Sequence, residues 1–341
     1  MAAPGQPEYS LVVPVYNEED TVAELARRLS ALLEQLDGPA EVILVDDGSS
    51  DSSYERMTEA RAADPRFKLL RLSRNFGHQV AVTAGLDVAA GNAVIVMDAD
   101  LQDPPEVALE LAARWREGYD VVYAVREQRE GDTAFKRATA SAFYRLFRRM
   151  SDVDVPLDVG DFRLVDRRAL DAFRSMRESN RYVRGMFSWI GYRQVGVPFR
   201  REERYAGETK YPLRKMLKFA SDGIVSFSAY PLRLALKLGF VMAGLSFLLG
   251  IIFLVSKIAG FYHVPGLASI AVFVAFLGGI QLLLIGIMGE YVARIHDEVK
   301  GRPLYIVNRE AGLADRLSSP ERIVSSPPFN LTEADPPARN D

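Results

Sequence analysis

The chain has 341 residues, long enough for one large domain and a further segment, and its charge is nearly balanced, with 42 Lys and Arg against 45 Asp and Glu. A balanced charge gives no global field that would favour nucleic acid as the partner. Cysteine is absent, which excludes disulfides, thiolate metal sites and cysteine nucleophiles and is typical of a reducing compartment.

From Tyr9 onward, apolar runs alternate with segments of helical periodicity. The predicted strands are SLVVPVY, EVILVDD, FKLLRLS, AVIVMD and DVVYAV. Continuously apolar strands that alternate with helices predict an α/β domain, with a mostly parallel Rossmann-like sheet covered on both faces. In such a sheet, ligands bind beyond the carboxyl ends of the strands.

Carboxylates are concentrated at one of these strand ends, in the stretch MDADLQD. Like charges this close together are costly unless a cation is bound. Asp98 and Asp100 are two residues apart and point to the same side of an extended segment, with Gln102 next in line. All three side chains offer oxygen donors, which suit Mg²⁺ or Mn²⁺. The sequence therefore predicts a divalent metal site formed by these three residues.

The metal site in turn indicates the class of ligand. Mg²⁺ in proteins usually shares its coordination shell with substrate phosphates, so we expect a nucleotide diphosphate. No G-x-G-x-x-G motif follows the first strand and no Walker motif is present, which disfavours a dinucleotide redox cofactor and ATP hydrolysis of the P-loop type. A nucleotide sugar remains.

Two later segments, Leu238 to Ser256 and Val264 to Gly289, contain no ionisable residue. At about 1.5 Å per residue, each is long enough to cross a hydrocarbon core of about 30 Å. We predict transmembrane helices at 234–259 and 264–289. Lys and Arg flank both outer ends, and the first residues lack a signal-peptide pattern, so the catalytic domain and both termini are expected in the cytoplasm.

The segments around these helices also carry signals. Apolar and basic residues on separate faces predict amphipathic juxtamembrane helices at 211–233 that lie on anionic lipid, with a plain linker helix as the alternative. Residues 290–310 are predicted to be a cytoplasmic return segment, and the Ser, Pro and Asp content predicts a disordered tail at 311–341. Four glycines in the second apolar segment permit close helix packing, and hence a homo-oligomer: Gly278, Gly279, Gly286 and Gly289.

Five motifs precede the apolar segments in a fixed order: VPVYNEE (13–19), VDDGSSD (45–51), LSRNFG (72–77), DADLQDPPE (98–106) and GDFRL (160–164). With this arrangement the chain resembles the polyprenyl-phosphate glycosyltransferases of glycosyltransferase family 2, which include dolichol-phosphate mannose synthases and bactoprenol glucosyltransferases. The resemblance covers roughly residues 8–308. It implies a GT-A-type domain at 1–210 in an integral protein of a bacterial-type inner membrane. It also implies inverting transfer of a hexose, most simply glucose from UDP-glucose, to undecaprenyl-type polyprenyl phosphate.

The resemblance also implies roles for individual residues. Nucleotide-sugar binding is expected of Pro14, Tyr16, Glu18, Asp46, Asp47, Asp98, Arg204 and Lys210. Binding of the acceptor phosphate is expected of Arg126, Arg137 and Ser141, and Asp161 matches the proposed base of the family. Because a phosphate acceptor is already largely a dianion at neutral pH, we expect Asp161 instead to orient the sugar, the acceptor or an arginine.

Several alternatives stay open at this point. GDP-mannose and UDP-galactose are other donors, because pocket geometry decides between them. A processive polysaccharide synthase would share the catalytic domain, but it would need a longer membrane channel and a Q-x-x-R-W motif that this sequence lacks. A noncatalytic membrane subunit is disfavoured by the full set of site residues. We interpret His78 and Trp189 as structural, since no partner for the histidine is evident in the sequence.

Overall fold

The structure, a computed structural model, describes residues 6–127, 159–201, 230–259 and 267–317. The strands are β1 (Tyr9–Val15), β2 (Ala40–Asp46), β3 (Phe67–Leu72), β4 (Ala93–Val96), β5 (Val121–Arg126), β6 (Val159–Asp166), β7 (Gln194–Phe199) and β8 (Val307–Ala311). The helices are α1 (Val22–Leu33), α2 (Ser53–Ala63), α3 (His78–Val88), α4 (Val107–Arg116), α5 (Arg167–Ser175), α6 (Val183–Trp189), α7 (Tyr230–Ile258), α8 (Leu267–Val299) and α9 (Ala314–Leu317).

The strands form one sheet in the order β7-β5-β6-β4-β1-β2-β3-β8. The run β4-β1-β2-β3 is parallel, whereas β6 is antiparallel to both of its neighbours and β8 is antiparallel to β3. Every residue of β1 is buried, because helices cover both faces of the sheet. The predicted α/β domain with a mostly parallel sheet is thus confirmed, and the structure adds three strands, β6, β7 and β8, that the alternating pattern did not indicate.

Two apolar layers hold the sheet between its helices. One layer packs α1, α2 and α4 against the sheet through Leu25, Met57 and Leu111. The other packs α3, α5 and α6 against the opposite face. Within that second layer α3 lies very close to the strands, since a Cβ atom added to Gly85 would be 2.3 Å from Cγ1 of Val12. This close packing fixes the position of His78, the first residue of α3.

The two long helices α7 and α8 include the windows Leu232–Ile252 and Phe276–Val299, which are long and apolar enough to cross a membrane. Neither window is buried inside the protein. Helix α8 continues to Val299, past the predicted end at residue 289. The charged residues after that position end the apolar stretch but do not end the helix. Near that end, Oε2 of Glu298 accepts a hydrogen bond of 2.9 Å from the backbone N–H of Ser179.

The segment after α8 returns to the sheet. Strand β8 pairs with β3, α9 follows it, and Leu313 between them is 1% exposed. Arg316 forms an ion pair with Glu41, Nη2 to Oε2, at 2.8 Å. The predicted disorder therefore does not begin at residue 311, because buried apolar area and a paired charge compensate for the polar composition. Residues 318–341 and the predicted amphipathic segment up to residue 229 lie outside the described residues.

Candidate active site

Chain topology brings Asp98 and Asp161 together at one edge of the sheet. Val96 of β4 pairs with Arg163 of the antiparallel strand β6. Because the two strands run in opposite directions, the residue two positions after Val96 lies opposite the residue two positions before Arg163. Asp98 and Asp161 are the residues at those positions. The motifs DADLQD and GDFRL thus meet, although they are about sixty positions apart in the sequence.

Asp161 is buried, with 3% of the residue exposed, and basic groups surround it. Nε of Arg184 lies 2.8 Å from Oδ1, and Nη2 of the same residue lies 3.2 Å from Oδ2. Oδ2 also contacts Nε2 of His78 at 3.0 Å. Burial alone would raise the pKa of Asp161, but the charge of Arg184 and the hydrogen bond from His78 hold that pKa well below its usual range. Asp161 is therefore a carboxylate at neutral pH.

His78 lies between the two carboxylates. Its Nε2 atom is 3.5 Å from Oδ1 of Asp98 as well as 3.0 Å from Oδ2 of Asp161. Partial burial lowers the pKa of His78, but the hydrogen bond to Asp161 and the charges of Asp98 and Asp161 raise it to about 9. The sequence shows no partner for His78, but the structure provides one from a strand 83 positions away. Its place directly after NFG, beyond the carboxyl end of β3, was the signal available in the sequence.

Asp98 fits a bound cation. Its Oδ1 atom has no hydrogen-bond partner among the described residues. Burial raises the pKa of Asp98 to about 6 in spite of the opposing effect of His78, so the site destabilises the carboxylate anion, which a divalent ion would stabilise. The side chains of His78, Asp98 and Asp161 each offer a ligand atom, and these atoms lie within 4.8 Å of one another. By distance alone this cluster could hold a metal ion, but both oxygens of Asp161 also contact Arg184.

The predicted metal ligands lie in a tight turn after β4. Oδ1 of Asp100 accepts a hydrogen bond of 3.1 Å from the backbone N–H of Gln102, and Leu101 between them has a φ angle of 55°. Asn17, after β1, has the same left-handed φ angle. Among the described non-glycine residues only these two have positive φ, and both follow strands that end at the site. Such strained positions persist only where the surrounding structure enforces them.

The third carboxylate of the motif has a different environment. Asp103 is buried, with Oδ1 3.2 Å from Nε of Arg201 and Oδ2 3.6 Å from Nη2 of Arg126. Burial raises the pKa of Asp103, and both arginines oppose that shift. Arg201 also reaches Asp100, with Nη2 3.8 Å from Oδ2. Asp103 is therefore the counter-ion of two arginines beside the site, and Arg201 joins Arg126 there although the motifs did not single it out.

The loops after β1 and β2 are tied together. The backbone N–H of Asn17 donates to Oγ of Ser49 at 3.0 Å, and that of Glu18 donates to Oγ of Ser53 at 2.8 Å. Tyr16 is 47% exposed at this edge, whereas Pro14 is buried within β1. The contacts between the two loops leave the ring of Tyr16 accessible to a ligand.

Asp46 and Asp47 make internal contacts. Oδ1 of Asp46 accepts from the backbone N–H of Ser49 at 2.8 Å, and its Oδ2 pairs with Nε of Arg71 at 3.0 Å. The carboxylate of Asp47 accepts from the backbone N–H groups of Phe76 and Gly77, at 2.7 and 3.0 Å. Asp47 thereby anchors the NFG loop that leads into His78. Four predicted residues, Arg137, Ser141, Arg204 and Lys210, lie outside the described residues.

Comparisons with known proteins identify the family of the chain. Residues 10–174 match the family model described as Glycosyl transferase family 2. The chain is 50% identical to the uncharacterized glycosyltransferase YkcC of Bacillus subtilis, over 91% of this chain and 96% of that protein. It is 39% identical to the SfII prophage-derived bactoprenol glucosyl transferase of Shigella flexneri, over 88% of this chain and 97% of that protein. Among solved structures, the mannosyltransferase PcManGT of Pyrobaculum calidifontis, with GDP-Man and Mn²⁺, aligns with a TM-score of 0.40 at 18% identity, covering 84% of this chain and 87% of that one.

Proposed function

The chain belongs to glycosyltransferase family 2, and on this premise we propose that it transfers glucose from UDP-glucose to an undecaprenyl-type polyprenyl phosphate. The observation that carries the proposal is the extent of the similarity to bactoprenol glucosyl transferases, which reaches 97% of the length of one such relative. A catalytic domain shared with soluble family members would not produce a match of that extent. The transfer proceeds with inversion and gives a β-linked lipid phosphate.

The donor lies at the carboxyl edge of the sheet. Tyr16 and Glu18 line the nucleotide pocket and Pro14 supports them from within β1, while Asp46 and Asp47 shape its floor through the loops that they brace. Asp98 and Asp100, with Gln102, hold a divalent ion, Mg²⁺ or Mn²⁺, together with the sugar diphosphate. When bound, the ion supplies positive charge that stabilises the departing diphosphate. Support for this arrangement comes from the unpartnered Oδ1 atom of Asp98.

The acceptor is the nucleophile. A phosphate monoester has a second pKa of about 6, so it is largely a dianion at neutral pH. One of its oxygens bonds to the anomeric carbon as the bond between that carbon and the nucleotide diphosphate breaks, and the electron pair leaves with the diphosphate. Bringing two anions together is the main barrier, and basic side chains lower it. In this proposal Arg126, Arg137 and Ser141 bind the acceptor phosphate, and Arg204 and Lys210 bind the nucleotide sugar.

The helices α7 and α8 hold the catalytic domain at the membrane surface, where the phosphate of a lipid acceptor emerges. We place the catalytic domain and both termini in the cytoplasm, with both helices spanning the bilayer. The amphipathic segment at 211–229 lies on the same surface in this proposal. A Cβ atom added to Gly278 or Gly286 would meet nothing within 4 Å in the described chain, so close packing of α8 with a second copy is open to test.

A donor screen tests the proposal. The full chain, purified in detergent, is incubated with undecaprenyl phosphate, Mg²⁺ or Mn²⁺, and radiolabelled UDP-glucose, UDP-galactose or GDP-mannose, with and without a chelator. We expect metal-dependent label in the lipid phase from UDP-glucose alone. Asp98→Asn should abolish the signal, and Asp171→Asn, a surface carboxylate on α5, should leave it unchanged.

Other outcomes of the screen contradict the proposal at different levels. Lipid product from GDP-mannose would support the proposed reaction class but contradict the proposed donor. The protein would then be a polyprenyl-phosphate mannose synthase. Polymer without lipid product would indicate a polysaccharide synthase. No product and no donor hydrolysis with any of the three sugars would contradict the proposed activity as a whole.

A further inference from the structure

Both oxygens of the Asp161 carboxylate are contacted by protein nitrogen atoms, one at Oδ1 and three at Oδ2. Oδ1 accepts from Nε of Arg184, and Oδ2 receives Nη2 of Arg184, Nε2 of His78 and Nε2 of Gln79 at 3.2, 3.0 and 3.3 Å. Each oxygen of an ionised carboxylate offers about two lone-pair sites, so the three nitrogen atoms at Oδ2 fill that oxygen, while Oδ1 faces the side-on guanidinium group of Arg184. A general base needs an oxygen that can accept a proton from the substrate within hydrogen-bond reach. Asp161 presents both oxygens to its own protein.

The position of Arg184 is itself fixed. Arg184 is the second residue of α6, and the backbone N–H of Val183, the first residue, donates to Oε1 of Gln79 at 2.9 Å. Gln79 therefore joins α6 to α3 while its amide nitrogen faces Asp161. The guanidinium group meets the carboxylate side-on through two nitrogen atoms, a geometry that Lys cannot reproduce.

His78 extends this network toward the metal-binding motif. The same Nε2 atom that contacts Asp161 lies 3.5 Å from Oδ1 of Asp98, the oxygen that has no hydrogen-bond partner among the described residues. A chain of contacts thus runs from Arg184 through Asp161 and His78 to Asp98. The hydrogen bonds of Asp161 hold Arg184 and His78 in place, and the position of His78 sets its ion-pair contact with Asp98.

We propose that Arg184, Gln79 and His78 are positioning residues, and that Asp161 acts through His78 to orient the Asp98 carboxylate instead of accepting a proton from the acceptor. The inference rests on the proposed function for the identity of the reaction, in which a phosphate dianion needs little deprotonation. Asp161 and His78 then act as outer-shell partners of a ligating carboxylate, Asp98, and the loss of such partners typically costs about 10- to 100-fold in metal affinity or activity. Asp98 and Asp100 carry the ion, while Arg184 keeps positive charge at Asp161 and so disfavours a cation there.

The test compares binding with turnover in the full-length protein. Mn²⁺ affinity in the presence of UDP is measured by EPR and by calorimetry, and kcat and KM are measured for lipid transfer. Both are determined for the wild type, Asp161→Asn, His78→Gln, Arg184→Gln and Arg184→Lys. Arg193→Gln, an exposed arginine that stacks on Tyr119, is the matched control. A thermal melt of each variant identifies any that fail to fold, and Arg184→Lys is the milder substitution if Arg184→Gln does.

We expect Asp161→Asn and Arg184→Gln to weaken Mn²⁺–UDP binding and to lower kcat by about 10- to 100-fold, as outer-shell partners of metal sites do. His78→Gln, which keeps a nitrogen donor, should retain more activity than Asp161→Asn. The double variant of Asp161→Asn with Arg184→Gln should be no worse than Asp161→Asn alone, since both act through one network. Arg193→Gln should match the wild type.

Two results would overturn the proposal. In the first, Asp161→Asn abolishes transfer while Mn²⁺–UDP binding is unchanged in all four variants. Asp161 would then act directly on the acceptor and not through His78 and Asp98. In the second, pulsed EPR of bound Mn²⁺ shows a ¹⁴N coupling that His78→Gln removes, which makes His78 a metal ligand. The binding measurements need no sugar or lipid, so they remain informative even if the donor screen contradicts the proposed function.

Discussion

The hydroxyl group of Tyr305 donates a hydrogen bond of 3.0 Å to Oδ2 of Asp87, a residue 218 positions earlier in the chain. Asp87 is buried near the end of α3 and also pairs with Nη1 of Arg177 at 2.9 Å. Burial and the neighbouring carboxylate raise the pKa of Tyr305 well above its usual range, so the phenol remains a donor. The return segment after α8 is therefore bonded to the helix whose first residue, His78, lies in the site.

Tyr305→Phe should lower stability without changing the shape of the core. The substitution removes one donor from a buried carboxylate that retains Arg177, and we expect a loss of about 1 to 3 kcal/mol. The measurement is the thermal unfolding midpoint in detergent, with Tyr119→Phe, a partly exposed tyrosine elsewhere in the domain, as the control. An unchanged midpoint for Tyr305→Phe would show that the hydrogen bond contributes nothing to folding.

Ending the chain after Lys300 should destabilise the catalytic domain, whereas ending it after Leu317 should not. The shorter chain lacks β8 and α9, which exposes the edge of β3 and leaves Glu41 without Arg316. Amide hydrogen exchange in β3, Phe67–Leu72, measures the difference directly. We expect fast exchange there only in the chain that ends at Lys300. Equal protection in both chains would mean that β3 is stable without its edge partner.

Asp103→Asn should weaken both folding and transfer. The substitution removes the counter-ion of Arg126 and Arg201 and leaves two guanidinium groups facing a neutral side chain. We expect a loss of about 1 to 3 kcal/mol, less than for a fully buried ion pair, because both arginines are partly exposed. Melting curves and transfer rates check the prediction, with Glu117→Gln at an exposed pair for comparison. A variant with normal stability and normal rate would contradict the assigned role.

Gly85→Ala should displace α3 and lower activity at a distance. The added Cβ atom would be 2.3 Å from Cγ1 of Val12 and 3.0 Å from Cγ2 of Val45, and overpacking of this kind costs about 1 to 3 kcal/mol. His78 moves with the helix, so kcat should fall along with the melting temperature. Gly244→Ala in α7, where nothing lies within 4 Å in the described chain, should be neutral. Full activity in the Gly85 variant would show that α3 tolerates the shift.

The sequence predicted those parts of the molecule that depend on local pattern. The central strands, the cluster of carboxylates after β4 and the two apolar helices each follow from residues close together in the chain. The environment of Asp161 does not. Its partners His78 and Arg184 come from α3 and α6, and they meet it only because β6 inserts antiparallel between β4 and β5, an arrangement that no local periodicity encodes.

The charge and polarity of a segment did not predict the environment of its residues. Asp98 and Asp103 are both acidic residues of one motif, yet Asp98 contacts His78 through an oxygen without a hydrogen bond among the described residues, and Asp103 pairs with two arginines. Similarly, the polar composition after residue 310 predicted disorder, whereas Leu313 is buried there. In each case the environment of the residue depends on contacts with segments that are distant in sequence.

The position of β8 at the edge of the sheet has a consequence for biosynthesis. Proteins emerge from the ribosome amino terminus first, and domains generally fold as units as they appear. Here the outermost strand beside β3 follows both α7 and α8 in the chain. The catalytic sheet therefore reaches its full width only after both apolar helices have been translated. Until then, the nascent catalytic domain lacks its edge strand β8.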